Sequence, residues 1–404
     1  MTFDLIIQNG RVIDPSQGLD DVLDIGVADG KIAALGKDLM SSPEMQSLET
    51  QVLDASGNLV TPGLVDIHVH ASEHVGGFNV PPDVVGVKMG VTTVVDAGSC
   101  GILGFPGFRK LVASSSKTRI YHQPNVYLLY QASADFITLK IGAVFAKENF
   151  SLNKAIRLFE ENSDIIVGFK CIAATREPHD TESISLNYGK EISRATGLPL
   201  TVHLGWLPYY SWLDPRLVLN KLEAGDVATH VYRRVGHILN ESGKVFPEAL
   251  DARDRGVVFD IGHGTGDFDF EVAKRALDQG VKPDTISGDI TNQSSVTGPV
   301  FSLTETMTKF LYLGLDLTEV IAMTTCNAAR VINRSNELGS LLVGRDADIS
   351  VLDYREGLWR LTDGIHHINW DGRKLIPKWT VRGGEIIPCE YPARSLRRQE
   401  LAPA

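Results

Sequence analysis

The chain has 404 residues, 43% of them hydrophobic and 22% charged, an ordinary globular composition that argues against wholesale disorder. Its formal charge of −11 argues against nucleic acid as a partner, because a basic face would have to stand against the overall field. Four scattered cysteines (Cys100, Cys171, Cys326 and Cys389) with no C-x-x-C pair point to a reducing, cytoplasmic setting, and no run approaches the roughly 18 apolar residues of a membrane span.

The opening residues, "MTFDLIIQNGRVIDP", lack the basic stretch and long apolar segment of a signal peptide. They read as strand, as do "VLDIGVADGKIAALG" and "QVLDASGNLVTPG" after them. Each is a short β-branched run punctuated by Asn-Gly, Asp-Gly or Ser-Gly, which signals antiparallel hairpins. The pattern then changes. Apolar runs at 64–70, 92–97, 125–130, 165–173, 198–204, 227–231, 257–261 and 285–290 give eight candidate strands. Their spacing of about 30 residues is that of one β-plus-α unit.

Helical segments fill the gaps. In "DPRLVLNKLEAG", Asp214 suits an N-cap, Pro215 the first helical position and Gly225 the stop; "ISRATG" and "EVAKRALDQG" close on Gly197 and Gly280. Eight such units predict an α/β fold built as a closed (β/α)8 TIM barrel. A doubly wound open sheet is the alternative, but it would more often show fewer strands and a phosphate-binding turn after the first. "GHGTGDF" at 262–268 is glycine-rich, yet it lacks the lysine and serine of a phosphate loop. Strand signals return in "GRDADISVLDY" and "WTVRGGEIIP". The expectation is a small β-sandwich domain from residues 1–57 and 341–404, with the barrel, 58–340, inserted between them.

In such a barrel the residues where strands exit converge on one mouth. The first strand delivers His68 and His70, which alternation places on the same face. Strands four, five, six and eight deliver Lys170, His203, His230 and Asp289. Imidazole nitrogens with a carboxylate oxygen suit a zinc-like divalent ion. Singly, each residue has a plain structural reading: a hydrogen-bonded core histidine, a lysine reaching for solvent, an aspartate capping a helix. Six metal-capable residues at strand ends, in this order, are much harder to reach by chance.

"GLVDIHVH", following a hairpin-rich segment, and "TTCNAARVINRSNELGSLLVGRDADISVLD" near the end resemble the amidohydrolase superfamily in its binuclear form with a carboxylated lysine. The resemblance implies that His68 and His70, with Asp289, hold the more buried of two divalent metal ions, zinc by ligand type. It implies that His203 and His230 hold the more exposed ion, and that Lys170, as a carbamate formed with carbon dioxide, bridges the two. A lysine beside two dications loses its proton more readily, and the free amine captures carbon dioxide. Asp289 is then the catalytic residue, orienting a shared hydroxide, taking its proton and returning it to the leaving amine or alcohol.

"GSCGILGFPGFR" and "DIGHGTGDFDF" resemble a smaller branch of deacetylases of N-acetyl amino acids, some preferring the D-isomer, and esterases of acetylated 2-hydroxy acids. The product of such a reaction carries a carboxylate. Arg176, on the loop leaving strand four, is the candidate to receive it, and His263 is a candidate donor to the substrate carbonyl or carboxylate; their plain readings are a surface arginine and a loop histidine bonded to backbone. Ser99 and Cys100 read as a loop lining the mouth, with a nucleophilic Cys100 as the alternative. His74, His122, His179, His237, His366 and His367 read as structural or solvated, and Tyr130 as core, with a place in the pocket wall as the alternative. The expected partner is a small-molecule substrate, with no nucleic acid and no membrane, and the chain is expected to be a homo-oligomer as barrels of this size commonly are. Two rivals remain: a cyclic amidohydrolase of the dihydroorotase or hydantoinase kind, which uses the same metal set, and a non-catalytic scaffold homologue.

Overall fold

The computed structural model describes residues 2–39, 49–131, 137–206, 209–296 and 298–392. β1 (Leu5–Asp14) anchors a sheet built from both termini. β2 (Leu19–Ala28) pairs antiparallel with it, and β3 (Lys31–Gly36) pairs antiparallel with β2. Between them Asp29 and Gly30 both take positive φ, as a tight two-residue hairpin turn demands.

On its other side β1 pairs in parallel with two short strands laid end to end. β4 (Gln51–Asp54) runs against residues 5–8, and β5 (Asn58–Pro62) against Arg11 and Val12. Where one partner gives way to the next, the β1 register slips and Asn9 adopts φ 61°. Gly10 has no room for a side chain there, since a Cβ would meet Val60 Cγ2 at 2.4 Å. The Asn-Gly pair therefore makes a bulge within one strand rather than the hairpin turn its composition suggested.

The chain's far end completes this sheet. β15 (Ile349–Thr362), β16 (His367–Arg382) and β17 (Glu385–Pro388) add antiparallel through β5, giving the order β17-β16-β15-β5-β1-β2-β3 with β4 beside β1. Pairing yields one eight-stranded sheet, where a two-layer sandwich was expected, and it takes in residues 58–62, beyond the expected boundary. Leu5, Ile7, Ile25, Val27, Ile349 and Val351 give it a core of its own.

Gly63 alone separates β5 from β6 (Leu64–Val69), the first strand of the middle region. β6, β7 (Val91–Asp96) and β8 (Arg119–His122) pair in parallel. So do β9 (Phe169–Ile172), β11 (Leu200–His203), β13 (Val227–Thr229) and β14 (Val258–Asp260). The short β10 (Ala174–Thr175) and β12 (Ser211–Trp212) pair antiparallel in the loops leaving β9 and β11. Single parallel bridges link the two sets: His122 with Ile166, Asn125 with Lys170, Asp260 with Thr285, and Ile290 with Val69 of β6. Parallel segments thus follow one another around the molecule, and the last pairs with the first.

The third strand differs from expectation. It is β8, Arg119–His122, while residues 125–130 form a loop. Residues 125–128 of that loop are buried, and the Tyr127 and Tyr130 rings stack at 5.7 Å, so its apolar run mostly records burial and not strand pairing. The helices follow their caps more closely. Ile184–Thr196 closes on Gly197 at φ 70°, and Pro215–Lys221 starts on Asp214, whose carboxylate accepts from the Arg216 amide. That helix ends at Leu222, short of Gly225. No described helix is long and apolar enough to cross a membrane.

Candidate metal centre

The ends of the parallel strands surround one cavity. Its walls include His68, His70, Lys170, His203, His230 and Asp289, the six residues singled out from the sequence. β6 carries His68, with His70 one residue beyond its end, and the Asp289 amide donates to the His68 carbonyl, which binds the 285–290 segment to β6 at this point. Asp289 and His230 both sit at positive φ (47° and 70°), a conformation that costs energy for residues with a Cβ and tends to cluster at functional sites.

Each histidine is held through one ring nitrogen. His68 Nδ1 lies 3.0 Å from Thr229 Oγ1, whose own proton goes to Asp260 Oδ2 at 2.8 Å. The hydroxyl can then only accept, so Nδ1 carries the hydrogen and Nε2 keeps its lone pair. That Nε2 lies 3.0 Å from Lys170 Nζ and 3.5 Å from Asp289 Oδ1. His70 Nδ1 bonds Ser99 Oγ at 2.9 Å, leaving Nε2 3.2 Å from the same Asp289 oxygen. His230 Nδ1 donates to the Gly262 carbonyl at 2.7 Å. His203 is reversed: its Nε2 is flanked by the Trp206 carbonyl (3.3 Å) and Arg233 Nη1 (2.8 Å), so Nδ1 is the nitrogen without a bond among the described residues. The His203 and His230 rings lie 4.4 Å apart, and those of His230 and His68 5.1 Å apart. Fixing one nitrogen to orient the other is how proteins prepare imidazole for a metal.

The electrostatics agree with a ligand set. Burial holds His68 below the usual imidazole range, aided by Lys170. Burial likewise pushes His203 and His230 well down, with Arg233 and His203 respectively as the next causes. Burial pushes Lys170 down to about 8. Asp289 is raised by burial but more strongly lowered by His68, His70 and Lys170, and ends at about 2. Neutral imidazoles beside an ionised carboxylate are what a divalent cation requires. His68, His70 and Asp289 offer donor atoms within 4.8 Å of one another, and so do His230, Asp267 and Asp289.

The glycine-rich stretch at 262–268 serves this centre. A Cβ on Gly262 would meet His230 Nδ1 at 2.7 Å, and one on Gly264 would meet Asp289 Oδ2 at 2.5 Å and Asp267 Oδ2 at 2.8 Å. These glycines let the backbone come close to the ligand side chains, a role that does not involve a nucleotide.

The expected substrate contacts fare differently. Arg176 is exposed, its guanidinium 4.8 Å from the Phe145 ring centre, and it does not line the cavity. His263 is buried behind the wall and stacked on Phe268; its Nδ1 donates to the Gly264 carbonyl and its Nε2 accepts from Lys309 Nζ at 2.7 Å. Both ring nitrogens are engaged, which leaves none for a substrate. Ser99 is buried and orients His70 instead of lining the mouth, with its amide donating to Asp96 Oδ1. Cys100 is buried beside His122 at 3.4 Å, and burial with the Asp96 charge pushes its thiol well up, which disfavours the nucleophilic thiolate. Tyr130, expected in the core, is in the cavity wall.

Arg233, Asp267 and Trp206 also line the cavity and were not singled out from the sequence. The signal for Arg233 was its place three residues beyond His230 on the loop leaving β13.

Comparison with known proteins bears on the whole chain. Residues 267–387 match the amidohydrolase family. A deacetylase of Enterococcus faecalis is 33% identical over 389 residues, covering 96% of this chain and 99% of its own. A deacetylase of Agrobacterium fabrum is 33% identical over 373 residues, covering 92% and 88%. Among crystal structures, one of an adenine deaminase matches with a TM-score of 0.83 at 30% identity, over 96% of this chain and 100% of its own. One of a dihydroorotase matches with a TM-score of 0.82 at 29% identity, over 96% and 99%. With the likeness to these relatives running from end to end, the chain belongs to the amidohydrolase family.

Proposed function

We propose that the chain is a metal-dependent hydrolase with a (β/α)8 barrel, cleaving the amide or ester bond of a small acylated acid, an N-acetyl-D-amino acid or an acetylated 2-hydroxy acid. The observation that carries this reading is the set of four histidines, each fixed through one ring nitrogen, around Lys170 and Asp289. His68, His70 and Asp289 would hold one divalent ion and His203 and His230 a second, with Lys170 as a carbamate between them. Zinc fits this nitrogen-rich set. Such ions supply a polarised scissile carbonyl and a water that ionises near neutrality.

The side chains divide the remaining work. Asp289, whose carboxyl lies at about 2, would accept a proton from the attacking water and return it to the departing amine or alcohol. Lys170, lowered to about 8, has a substantial share of free amine at mildly alkaline pH, the form that captures carbon dioxide. Thr229, Ser99 and Gly262 hold the imidazoles in register. The full-length relatives named deacetylase support the amide reading. A second reading, opening of a cyclic amide, is favoured by the dihydroorotase structure and by allantoinases of Escherichia coli that are 32% identical over 179 residues.

Purified with zinc and bicarbonate, the protein should carry at least one ion per chain and hydrolyse N-acetyl-D-amino acids or acetylated mandelate. Ring opening of dihydroorotate or hydantoins alone would install the second reading. Less than one ion with no turnover would make the chain a scaffold. Lys170→Ala should nearly abolish turnover, and short-chain carboxylates in the buffer should partly restore it; full activity in that variant would rule out a carbamate.

A further inference from the structure

Two carboxylates line the cavity, Asp289 and Asp267, and only the first stands among the six expected ligands. Asp289 turns Oδ1 to His68 Nε2 and His70 Nε2, at 3.5 Å and 3.2 Å. Its Oδ2 lies at Gly264 beside Asp267, since a Cβ there would meet Asp289 Oδ2 at 2.5 Å and Asp267 Oδ2 at 2.8 Å. Asp267 Oδ1 pairs with Arg233 Nη2 at 2.5 Å. Oδ2 takes no hydrogen bond from the described residues, and the side chain keeps 19% of its surface open in a residue of the cavity wall. His230 is the third member of this group. Its Nδ1 is committed to the Gly262 carbonyl, which leaves Nε2 as its donor. The donor atoms of His230, Asp267 and Asp289 all lie within 4.8 Å of one another. Ligands of one zinc-like ion, each about 2.1 Å from it, stand about 3–4 Å apart, so this group is at or near coordination distance. Two carboxylates side by side in a closed cavity repel, and a divalent ion between them removes the repulsion.

We propose that Asp267 is a ligand of the more exposed ion, binding it through Oδ2 while Oδ1 remains on Arg233. That ion would be held by His203, His230 and Asp267, with Asp289 offering one oxygen to each ion. Ligating carboxylates are commonly fixed by a hydrogen-bond donor on their other oxygen, and Arg233, itself held by the Leu204 carbonyl, has that place. The added anionic oxygen binds a dication more tightly than two neutral imidazoles do by themselves. This inference rests on the metal-dependent reading above and adds a ligand outside its six residues.

The test loads wild type and variants with cobalt(II) and reads binding by calorimetry and by absorption. Wild type should take up two ions. In Asp267→Asn the weaker ion should bind about 100-fold less tightly, the upper end of what loss of an orienting contact alone costs, while the stronger ion changes by no more than a few-fold. Asp267→Cys should put a thiolate on the weaker ion and show a near-ultraviolet thiolate-to-cobalt band that wild type lacks. An Asp267 that only pairs with Arg233 would change stability and leave both affinities alone. Unchanged affinities in Asp267→Asn, or two bound ions without the new band in Asp267→Cys, overturn the ligand. Should the variants not fold, anomalous scattering from wild-type crystals grown with zinc decides. Asp267 Oδ2 should lie about 2.0–2.2 Å from the ion beside His230, and a separation too long for a bond overturns the proposal. A wild type that takes up no ion sinks the metal-dependent reading together with this one. Two ions with Asp267 uncoordinated, or one ion held by His68 and His70 alone, sink only the ligand. A coordinated Asp267 in a protein that hydrolyses no acylated acid sinks the hydrolase reading and keeps the ligand.

Discussion

His68 shows how a buried imidazole is readied for a ligand. Thr229 gives its hydroxyl proton to Asp260, which also accepts from Thr285 at 2.7 Å and Ser287 at 2.8 Å. The threonine oxygen is left as an acceptor, which fixes the His68 tautomer. Thr229→Val keeps the shape and removes this acceptor. The His68 Nδ1–H would then be buried without a partner, at a cost of about 1–3 kcal/mol. Metal affinity should fall about 10- to 100-fold, the range for lost orienting contacts, as read by competition with a chelator. An unchanged affinity would mean that strand geometry alone orients the ring. The six residues were legible in the sequence because five of them stand close to where an apolar run ends and Lys170 is a lone cation inside one. Thr229 and Asp260 were not, because they meet through the register of β13 against β14, a pairing that no local pattern encodes.

At the scale of elements, periodicity found six parallel strands, missed β8, and named at 285–290 a segment that pairs only through single bridges at Thr285 and Ile290. Residues 125–130 are as apolar as a strand because most of them are buried, yet their sheet pairing is limited to single bridges from Asn125 to Gly101 and to Lys170. Loops hid part of the cavity wall for a similar reason. Arg176 and Arg233 both follow a strand-end ligand candidate within a few residues, but the first loop turns outward after β10 and the second turns into the cavity. Nothing in the spacing separates the two. The Asn9-Gly10 bulge carries a prediction. Gly10→Ala would set a methyl 2.4 Å from Val60 Cγ2 and 3.1 Å from Ala55 Cβ, where β1 changes partner from β4 to β5. Overpacking of this kind costs about 1–3 kcal/mol, measurable by urea unfolding. Adding Val60→Ala should restore part of the loss; if the double variant is no more stable than Gly10→Ala, the strain comes from the backbone and not from that contact.

The molecule as a whole joins the two ends of its chain into one sheet and seats the parallel strands against it. The Gly63 amide donates to the Asp348 carbonyl at 2.8 Å, and the Leu64 amide to Ser350 Oγ at 3.0 Å. The Ser350 hydroxyl in turn donates to the Gly90 carbonyl at 2.6 Å. Farther along, Thr380 Oγ1 donates to the Val87 carbonyl at 2.7 Å, and the Leu375 amide to Thr308 Oγ1 at 3.2 Å. β5 runs into β6 through a single residue, so the terminal sheet cannot open without pulling on the strand that carries His68 and His70. This coupling predicts one unfolding transition. Three of the five tryptophans, Trp359, Trp370 and Trp379, lie in β15 and β16 and report on the sheet. In protein loaded with cobalt(II), visible absorption would report on the cavity. Both signals should vanish at the same temperature, and added metal should raise both together, because an ion that binds only the folded state stabilises it by about 2.7 kcal/mol at a free concentration 100 times its Kd. Tryptophan fluorescence lost at a lower temperature, with the cobalt band intact, would instead mark the sheet as a separate unit that the parallel strands can do without.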